Sequence, residues 1–68
     1  MLAEVHFKTY EDRSKAMDKM YYDCGGSKSY DTTSGSSDRP YGLYITDDCE
    51  NVGRARQICD IHDGEIVR

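Results

Sequence analysis

Two short segments of this chain alternate apolar and polar residues, and each is followed by a segment with a helical period. The apolar positions of the alternating segments, residues 2–9 and 41–46, are Ala3, Val5 and Phe7, then Tyr41, Leu43 and Ile45. A period of two residues is typical of a β-strand with one buried face. Both segments are therefore predicted to be half-buried strands that lead into helices.

The first helical segment covers residues 10–24, where apolar residues recur every three or four positions. Thr9 is its predicted N-cap, and Gly25 and Gly26 are its predicted stop, because glycine adopts the left-handed conformation that ends helices. Before the second helix, Asp47 followed by Glu50 predicts a capping box, and Gly64 predicts the end. The apolar stripe of this helix is predicted to be Cys49, Val52, Ala55, Ile58 and Cys59.

The segment between the first helix and residues 41–46 is rich in glycine and serine. Its start, Gly-Gly-Ser-Lys-Ser, lacks the spacing of a phosphate-binding loop and follows a helix instead of a strand, so it indicates a helix stop. Residues 27–33 alternate weakly and predict a polar edge strand. Residues 34–40 predict the loop of a hairpin. Residues 65–68 predict a brief last strand.

The predicted order of elements is β-α-β-β-α-β, the split βαβ or ferredoxin-like pattern. In this topology the first and third strands lie at the centre of the sheet, and these segments have the clearest apolar alternation. We therefore expect an α+β fold with a four-stranded antiparallel sheet and two helices on one face. A chain of 68 residues builds one core, so residues 1–68 are expected to form a single small domain. We also expect a complete, compact reading frame.

The charge balance is acidic, because 13 Asp and Glu residues against 9 Lys and Arg residues give a formal net charge of −4. Proteins that bind nucleic acid neutralise phosphates with Lys and Arg, so direct nucleic-acid binding is not expected. The sequence has no apolar run that could span a membrane and no secretory signal at its start. We therefore expect a cytoplasmic protein without a membrane partner.

Cys24, Cys49 and Cys59 form an odd set without a Cys-x-x-Cys pair, which argues against a disulfide framework. We interpret them as reduced, mostly buried thiols that pack as small apolar side chains. Cys59 and His62 have the spacing of two zinc ligands, but no second close pair completes a site of four. We therefore expect no metal and no cofactor. Acidic residues around Cys49 oppose a reactive thiolate, so no catalytic residue and no enzymatic activity are expected.

One face of the predicted sheet packs on the helices, and the other is expected to be open. By alternation the open face carries Glu4, His6, Lys8, Gly42, Tyr44 and Thr46. His6 and Tyr44 on the two central strands would suit base stacking, as in RNA-binding modules of this fold. The third strand lacks the basic residue of their signature, so a single-stranded nucleic-acid-binding module is our third hypothesis.

The sequence points best to a small acidic, non-catalytic protein-interaction module. We expect it to bind a basic surface of a protein partner, as phage- or plasmid-encoded, anti-CRISPR-like inhibitors block the nucleic-acid site of a host nuclease or defence complex. The expected partner-binding residues are Asp47, Asp48, Glu50, Tyr41, Tyr44 and His6. The main alternative is a dimeric small-ligand-binding or regulatory ferredoxin-like domain. We also expect a homodimer through the sheet face or an edge strand, with Tyr44 near the contact.

Overall fold

The computed structural model describes residues 2–68 as a four-stranded antiparallel sheet packed against two helices. The elements in chain order are β1 (Ala3–Phe7), α1 (Tyr10–Asp23), a 3₁₀-helix (Gly26–Ser29), β2 (Tyr30–Ser34), β3 (Tyr41–Ile45), α2 (Val52–Ile61) and β4 (Glu65–Ile66). The order of strands in the sheet is β2-β3-β1-β4. The predicted α+β, ferredoxin-like architecture is therefore confirmed.

The core lies between the inner face of the sheet and the helices. β1 pairs with β3 so that Val5 lies opposite Leu43, and the alternating apolar residues of both strands therefore share the inner face. The buried apolar residues are Ala3, Val5, Phe7, Ala16, Met20, Cys24, Leu43, Ile45, Ala55, Ile58 and Cys59. Because β1 and β3 occupy the centre of the sheet, they supply most of its buried apolar side chains.

α1 begins and ends where the sequence predicts. Thr9 Oγ1 accepts a hydrogen bond from the Asp12 backbone N–H at 3.1 Å, which satisfies one of the free donors of the first turn. Beyond Cys24, Gly25 has a φ of 108° and Gly26 a φ of 86°, a left-handed region that strains any residue with a side chain. Within residues 2–68, neither helix has the length and apolar content needed to cross a bilayer.

The predicted start of α2 at Asp47 is wrong, because the N-cap is Asn51. Asn51 Oδ1 accepts from the Arg54 backbone N–H at 3.0 Å. The residues before it form a separate turn, in which the Cys49 N–H donates to the Thr46 carbonyl at 3.1 Å and the Glu50 N–H donates to the Cys24 carbonyl at 2.9 Å. The Glu50 N–H is the donor that a capping box would direct to the Asp47 side chain, and here it is used by the Cys24 carbonyl.

Two strands are shorter than predicted or shifted along the chain. The 3₁₀-helix takes the place of the start of the predicted edge strand, because the buried Ser29 hydroxyl donates to the Gly26 carbonyl at 2.7 Å and closes a tight turn. β2 therefore begins at Tyr30. β4 is only two residues long, although the Val67 N–H still donates to the Glu4 carbonyl at 2.9 Å.

Candidate interaction surface

The outer face of the sheet, on the side away from the core, carries polar and charged residues. We define the outer face by the strand register as Glu4, His6, Asp31, Thr33, Gly42, Tyr44 and Glu65. Opposed side chains on neighbouring antiparallel strands have Cβ atoms about 5 Å apart. Glu4, Asp31 and Glu65 bring a carboxylate from each of three strands, so this face is acidic.

Tyr44 lies between two of these carboxylates, those of Glu4 and Asp31. On β3 it is opposite Glu4 of β1 on one side and opposite Asp31 of β2 on the other. Arg68 lies close enough to interact electrostatically with the Tyr44 phenol. The half-buried Tyr44 side chain has an apolar body and a polar tip, the combination that makes tyrosine frequent at protein interfaces.

Glu4 is held in place by two side chains. Its Oε2 accepts a hydrogen bond from His6 Nε2 at 2.6 Å, and its Oε1 accepts one from Arg68 Nη2 at 2.9 Å. Only 13% of the Glu4 side chain is exposed. The hydrogen bonds from His6 and from Arg68 favour the charged carboxylate, so they hold the pKa of Glu4 below its ordinary value. Glu4 therefore stays ionised and paired with Arg68, and only a small part of its side chain faces solvent.

His6 lies on the outer face by register, yet it is only 9% exposed. Its Nε2 is engaged by Glu4, and Arg39 Nη1 donates to the His6 carbonyl oxygen at 3.5 Å. The same guanidinium reaches the carbonyl oxygen of Asp63, so Arg39 spans the end of β1. His6 Nδ1 has no hydrogen-bond partner among residues 2–68. In this structure His6 fixes Glu4, and its role as a direct partner contact stays a prediction.

The acidic turn, which we define as Asp47, Asp48 and Glu50, follows β3 directly. Asp47 and Asp48 are exposed. Glu50 Oε2 lies 3.0 Å from Lys28 Nζ, and this hydrogen bond with its charge raises the pKa of Lys28. The acidic turn therefore has two exposed aspartates, and Lys28 partly neutralises its glutamate.

Tyr41, the other predicted aromatic contact, packs on the inner side. Its ring meets the Tyr10 ring edge-on at 5.9 Å. The Arg13 guanidinium lies 5.4 Å from the centre of each ring and donates from Nη1 to the Gly42 carbonyl at 3.2 Å. These contacts fasten α1 to the β2–β3 hairpin. Tyr44 is therefore the tyrosine that the outer face presents.

The fold brings Cys24, Cys49 and Cys59 together, although they are far apart in sequence. The Cys24 thiol donates to the Asn51 carbonyl oxygen at 3.6 Å, and the three thiols lie close enough to interact electrostatically. Burial, and then the charge of Cys49, raises the pKa of Cys24 to about 11. Burial, and then the charge of Cys24, raises the pKa of Cys59 to about 12. Both thiols stay protonated at neutral pH, which makes them poor nucleophiles.

The thiols are free in the structure, and Cys24 and Cys59 are buried as predicted, while Cys49 is half-buried. Within residues 2–68, no group of three or more His, Cys, Asp or Glu side chains could hold a metal ion. Cys59 and His62 therefore do not belong to a larger ligand cluster in this part of the chain. The expectation that the protein binds no metal and no cofactor stays a prediction.

The structure adds Asp31, Glu65 and Arg68 to the residues predicted from sequence. Strand alternation contained the signal for Asp31, which is the polar position opposite Tyr44 once the hairpin register is known. The positions of Glu65 and Arg68 depend on how the last strand pairs with β1, which the sequence does not reveal. Comparison with family models, with curated proteins and with solved structures found no match to this chain.

Proposed function

We propose that this chain is a small acidic, non-catalytic module that binds a basic surface of a protein partner through the outer face of its sheet. The observation that carries the proposal is the position of Tyr44 between Glu4 and Asp31. Asp47 and Asp48 extend the negative charge beyond the end of β3. The core occupies the other side of the sheet, so the outer face is the side that a partner can reach.

The tyrosine and the carboxylates contribute to binding in different ways. Tyrosine is enriched among interface hot spots because it buries a large ring at a small cost in conformational entropy. Carboxylates steer the encounter with a positive surface and fix its orientation. Glu4 is already held by His6 and Arg68, so it loses little freedom when a partner binds. A partner rich in Arg and Lys fits this combination.

The partner class that suits the outer face best is the nucleic-acid-binding site of a host nuclease or defence complex. Such sites carry Lys and Arg side chains that neutralise phosphates. A protein with a net charge of −4 and carboxylates fixed on a sheet offers those side chains an alternative set of negative charges. We therefore propose a cytoplasmic inhibitor of the phage or plasmid type that competes with nucleic acid.

Two observations argue against other functions. Glu4, Asp31 and Glu65 would repel phosphates, which disfavours single-stranded nucleic-acid binding at this face. The raised pKa values of Cys24 and Cys59 disfavour thiolate chemistry. Both observations support an interaction module over a nucleic-acid-binding domain or a cysteine-dependent enzyme.

The test is a competition assay with purified guide-RNA-dependent nucleases and restriction endonucleases, each bound to labelled duplex DNA. We expect the chain to displace DNA from at least one of them, with an association rate that falls as the salt concentration rises. The double variant Asp31→Lys, Asp48→Lys reverses two exposed carboxylates, and we expect it to bind about ten- to a hundredfold more weakly. Glu50 is a poorer choice because its reversal would also break the pair with Lys28.

The matched control is Asp18→Lys, Asp60→Lys, which makes the same change in net charge at exposed positions of α1 and α2. This variant should compete as well as the original chain. The proposal fails if no nuclease in the panel releases its DNA. It also fails if both double variants weaken binding equally, because the effect would then reflect net charge and not the outer face.

A further inference from the structure

The three thiols of the chain differ in how easily solvent reaches them. Cys24 and Cys59 are buried, while Cys49 is half-buried in the acidic turn and packs against the core. A small oxidant in solution therefore reaches Cys49 more easily than it reaches the other two cysteines. The proposed function uses none of these thiols.

The backbone holds Cys49 next to Cys24. The N–H of Glu50, the residue after Cys49, donates to the Cys24 carbonyl at 2.9 Å. A Cα atom lies about 2.4 Å from its own carbonyl oxygen and from the nitrogen of the next residue, so the Cα atoms of Cys24 and Cys49 are at most about 8 Å apart. Disulfides usually join Cα atoms about 4.4–6.8 Å apart. A disulfide between the two cysteines therefore needs at most a small movement of the backbone.

The side chains of the two cysteines face the same part of the core. Cys24 Sγ donates to the Asn51 carbonyl oxygen at 3.6 Å, so this sulfur is directed at the segment that contains Cys49. Cys49 in turn packs against the core cluster to which Cys24 belongs. Burial raises the pKa of Cys24 most, and the charge of Cys49 adds to this effect, as expected for two neighbouring sulfur atoms.

Cys59 is a less suitable partner for either thiol. The carbonyl that Cys24 Sγ contacts belongs to Asn51, the N-cap of α2, and Cys59 lies about 12 Å further along this helix at about 1.5 Å per residue. Cys59 is also buried, which hinders access of an oxidant. We propose that Cys24 and Cys49 form a reversible disulfide when the chain meets a peroxide, and that this bond ties the acidic turn to the end of α1.

The disulfide forms in two chemical steps. The Cys49 sulfur attacks one oxygen of the peroxide, the O–O bond breaks, and the leaving hydroxide takes the thiol proton, which gives a sulfenic acid and water. The Cys24 sulfur then bonds to the Cys49 sulfur, the S–O bond breaks, and the hydroxyl group leaves with the Cys24 proton as a second water molecule. The two thiols lose two electrons and the peroxide gains them. The raised pKa of Cys24 keeps its thiol protonated, so we expect the second step to limit the rate.

The test is oxidation of the reduced chain with hydrogen peroxide, then alkylation of the remaining thiols in denaturant, digestion with trypsin and mass spectrometry without a reductant. Trypsin cuts after Lys and Arg but not before Pro, so it separates the three cysteines onto residues 20–28, 29–54 and 57–68. We expect residues 20–28 linked to residues 29–54 in protein of monomer mass, with Cys59 alkylated. Dithiothreitol should separate the linked peptides.

Two variants and one measurement of stability provide the controls. Cys49→Ser should prevent the link, and Cys59→Ser should retain it. Because Cys59 is buried and its variant could unfold, the thermal unfolding of the original chain is also measured before and after oxidation. The midpoint should rise by at least about 5 °C, because a disulfide restricts the unfolded chain, and it should not rise in Cys49→Ser.

Three results would overturn the proposal. The first is a link that involves residues 57–68 instead of residues 20–28. The second is oxidation of Cys49 to a sulfinic acid, or cross-linking between two chains, without the internal link. The third is a lower unfolding midpoint in the linked chain, because the bond would then distort the fold that is expected to accommodate it.

Discussion

Gly64 joins α2 to β4 at a point where three core atoms approach the backbone. A Cβ atom there would lie 2.7 Å from Val5 Cγ1, 2.8 Å from Phe7 Cε2 and 2.9 Å from the Cys59 carbonyl oxygen. The sequence predicts Gly64 as a helix stop. In the structure, the absence of a side chain at Gly64 lets the chain pass close to Val5 and Phe7 of β1. The chain then continues into β4, which pairs with β1.

Gly64→Ala should therefore destabilise the fold by about 1–3 kcal/mol, the usual cost of overpacking a core. The measurement is the free energy of unfolding from urea titration. The control is Gly53→Ala in α2, where the nearest atom to a new Cβ is Asn51 Oδ1 at 3.8 Å. Alanine favours the helical conformation more than glycine does, so Gly53→Ala should be more stable than the original chain by up to about 1 kcal/mol. Equal effects at both positions would contradict the packing argument.

The ionisation of Glu4 makes the free energy of unfolding depend on pH in the acidic range. The pKa of its carboxyl is lowered in the folded state by the hydrogen bond from His6 and then by Arg68. The stabilisation is therefore present above the pKa of the unfolded chain, about 4.3, and is lost as the pH falls through the lower folded pKa. Glu4→Gln should lower stability at pH 7 and flatten its decrease on acidification. Urea unfolding at pH 7 and below pH 4 measures both effects, and parallel pH curves would refute the assignment.

At the scale of elements, α2 shows how a correct helix prediction can have the wrong beginning. Asp47 and Glu50 match a capping box in sequence, but tertiary bonds hold them in a turn, and Asn51 caps the helix. Asn51 is also a preferred capping residue. The choice between the two was decided by the Glu50 N–H, which donates to the Cys24 carbonyl in a distant part of the chain.

Asn51→Ala should cost about 1 kcal/mol in stability, because it leaves the Arg54 N–H without its acceptor. Asp48→Ala, in the turn where the sequence predicts the helix to start, should change stability by less than about 0.5 kcal/mol, as exposed surface changes usually do. Thermal unfolding of both variants provides the comparison. A loss in Asp48→Ala as large as the loss in Asn51→Ala would contradict the assignment of Asn51 as the N-cap.

The elements predictable from sequence are those whose signal is local. Alternation in residues 2–9 and 41–46 gave both central strands, and Thr9 with Gly25 gave the limits of α1. The outer face is harder to predict because it combines residues from separate strands. Tyr44 was identified by alternation, but its neighbours Asp31 and Arg68 depend on register and on the last strand. The proximity of Cys24 and Cys49 was not predicted, since no local pattern joins the end of α1 to the acidic turn.

At the scale of the whole molecule, charge is distributed unevenly between the two sides. The outer face and the acidic turn concentrate carboxylates, while a groove on the helix layer has a positive excess. The groove is lined by Lys15, Asp18, Lys19, Tyr22 and His62. Asp23 at the end of α1 pairs with Arg54 near the start of α2 at 3.0 Å, so the helices run in opposite directions. The end of α2 therefore lies beside the middle of α1, which places His62 in the groove.

The sheet has an edge strand through which the homodimer predicted from the sequence could form. β4 is the outer strand on one side, and Ile66 and Val67 there are 38% and 44% exposed. Pairing of two β4 edges would cover these apolar side chains, with Glu4 one strand and Tyr44 two strands away from the contact. We predict a dimer at about tens of micromolar, where a weak specific interface is still populated.

Sedimentation equilibrium measures this assembly directly. Val67→Lys should shift the chain to monomer, because charged side chains on edge strands oppose pairing. Asp31→Lys on the opposite edge strand, β2, should leave the dimer intact. A monomer for the unmodified chain would rule out the dimer. Loss of the dimer in Tyr44→Ala but not in Val67→Lys would place the contact on the sheet face instead.

The central position of β1 also affects how the protein is made. A ribosome produces β1 first, yet Val5 pairs with Ile66, about sixty residues later in the chain. α1 and the β2–β3 hairpin can form early, because their contacts are local. β1 completes its pairing only when residues 65–68 have emerged, and until then its apolar side chains have an incomplete cover. A pause in translation before residues 65–68 are made would therefore leave apolar side chains of β1 partly uncovered, and such exposure promotes aggregation.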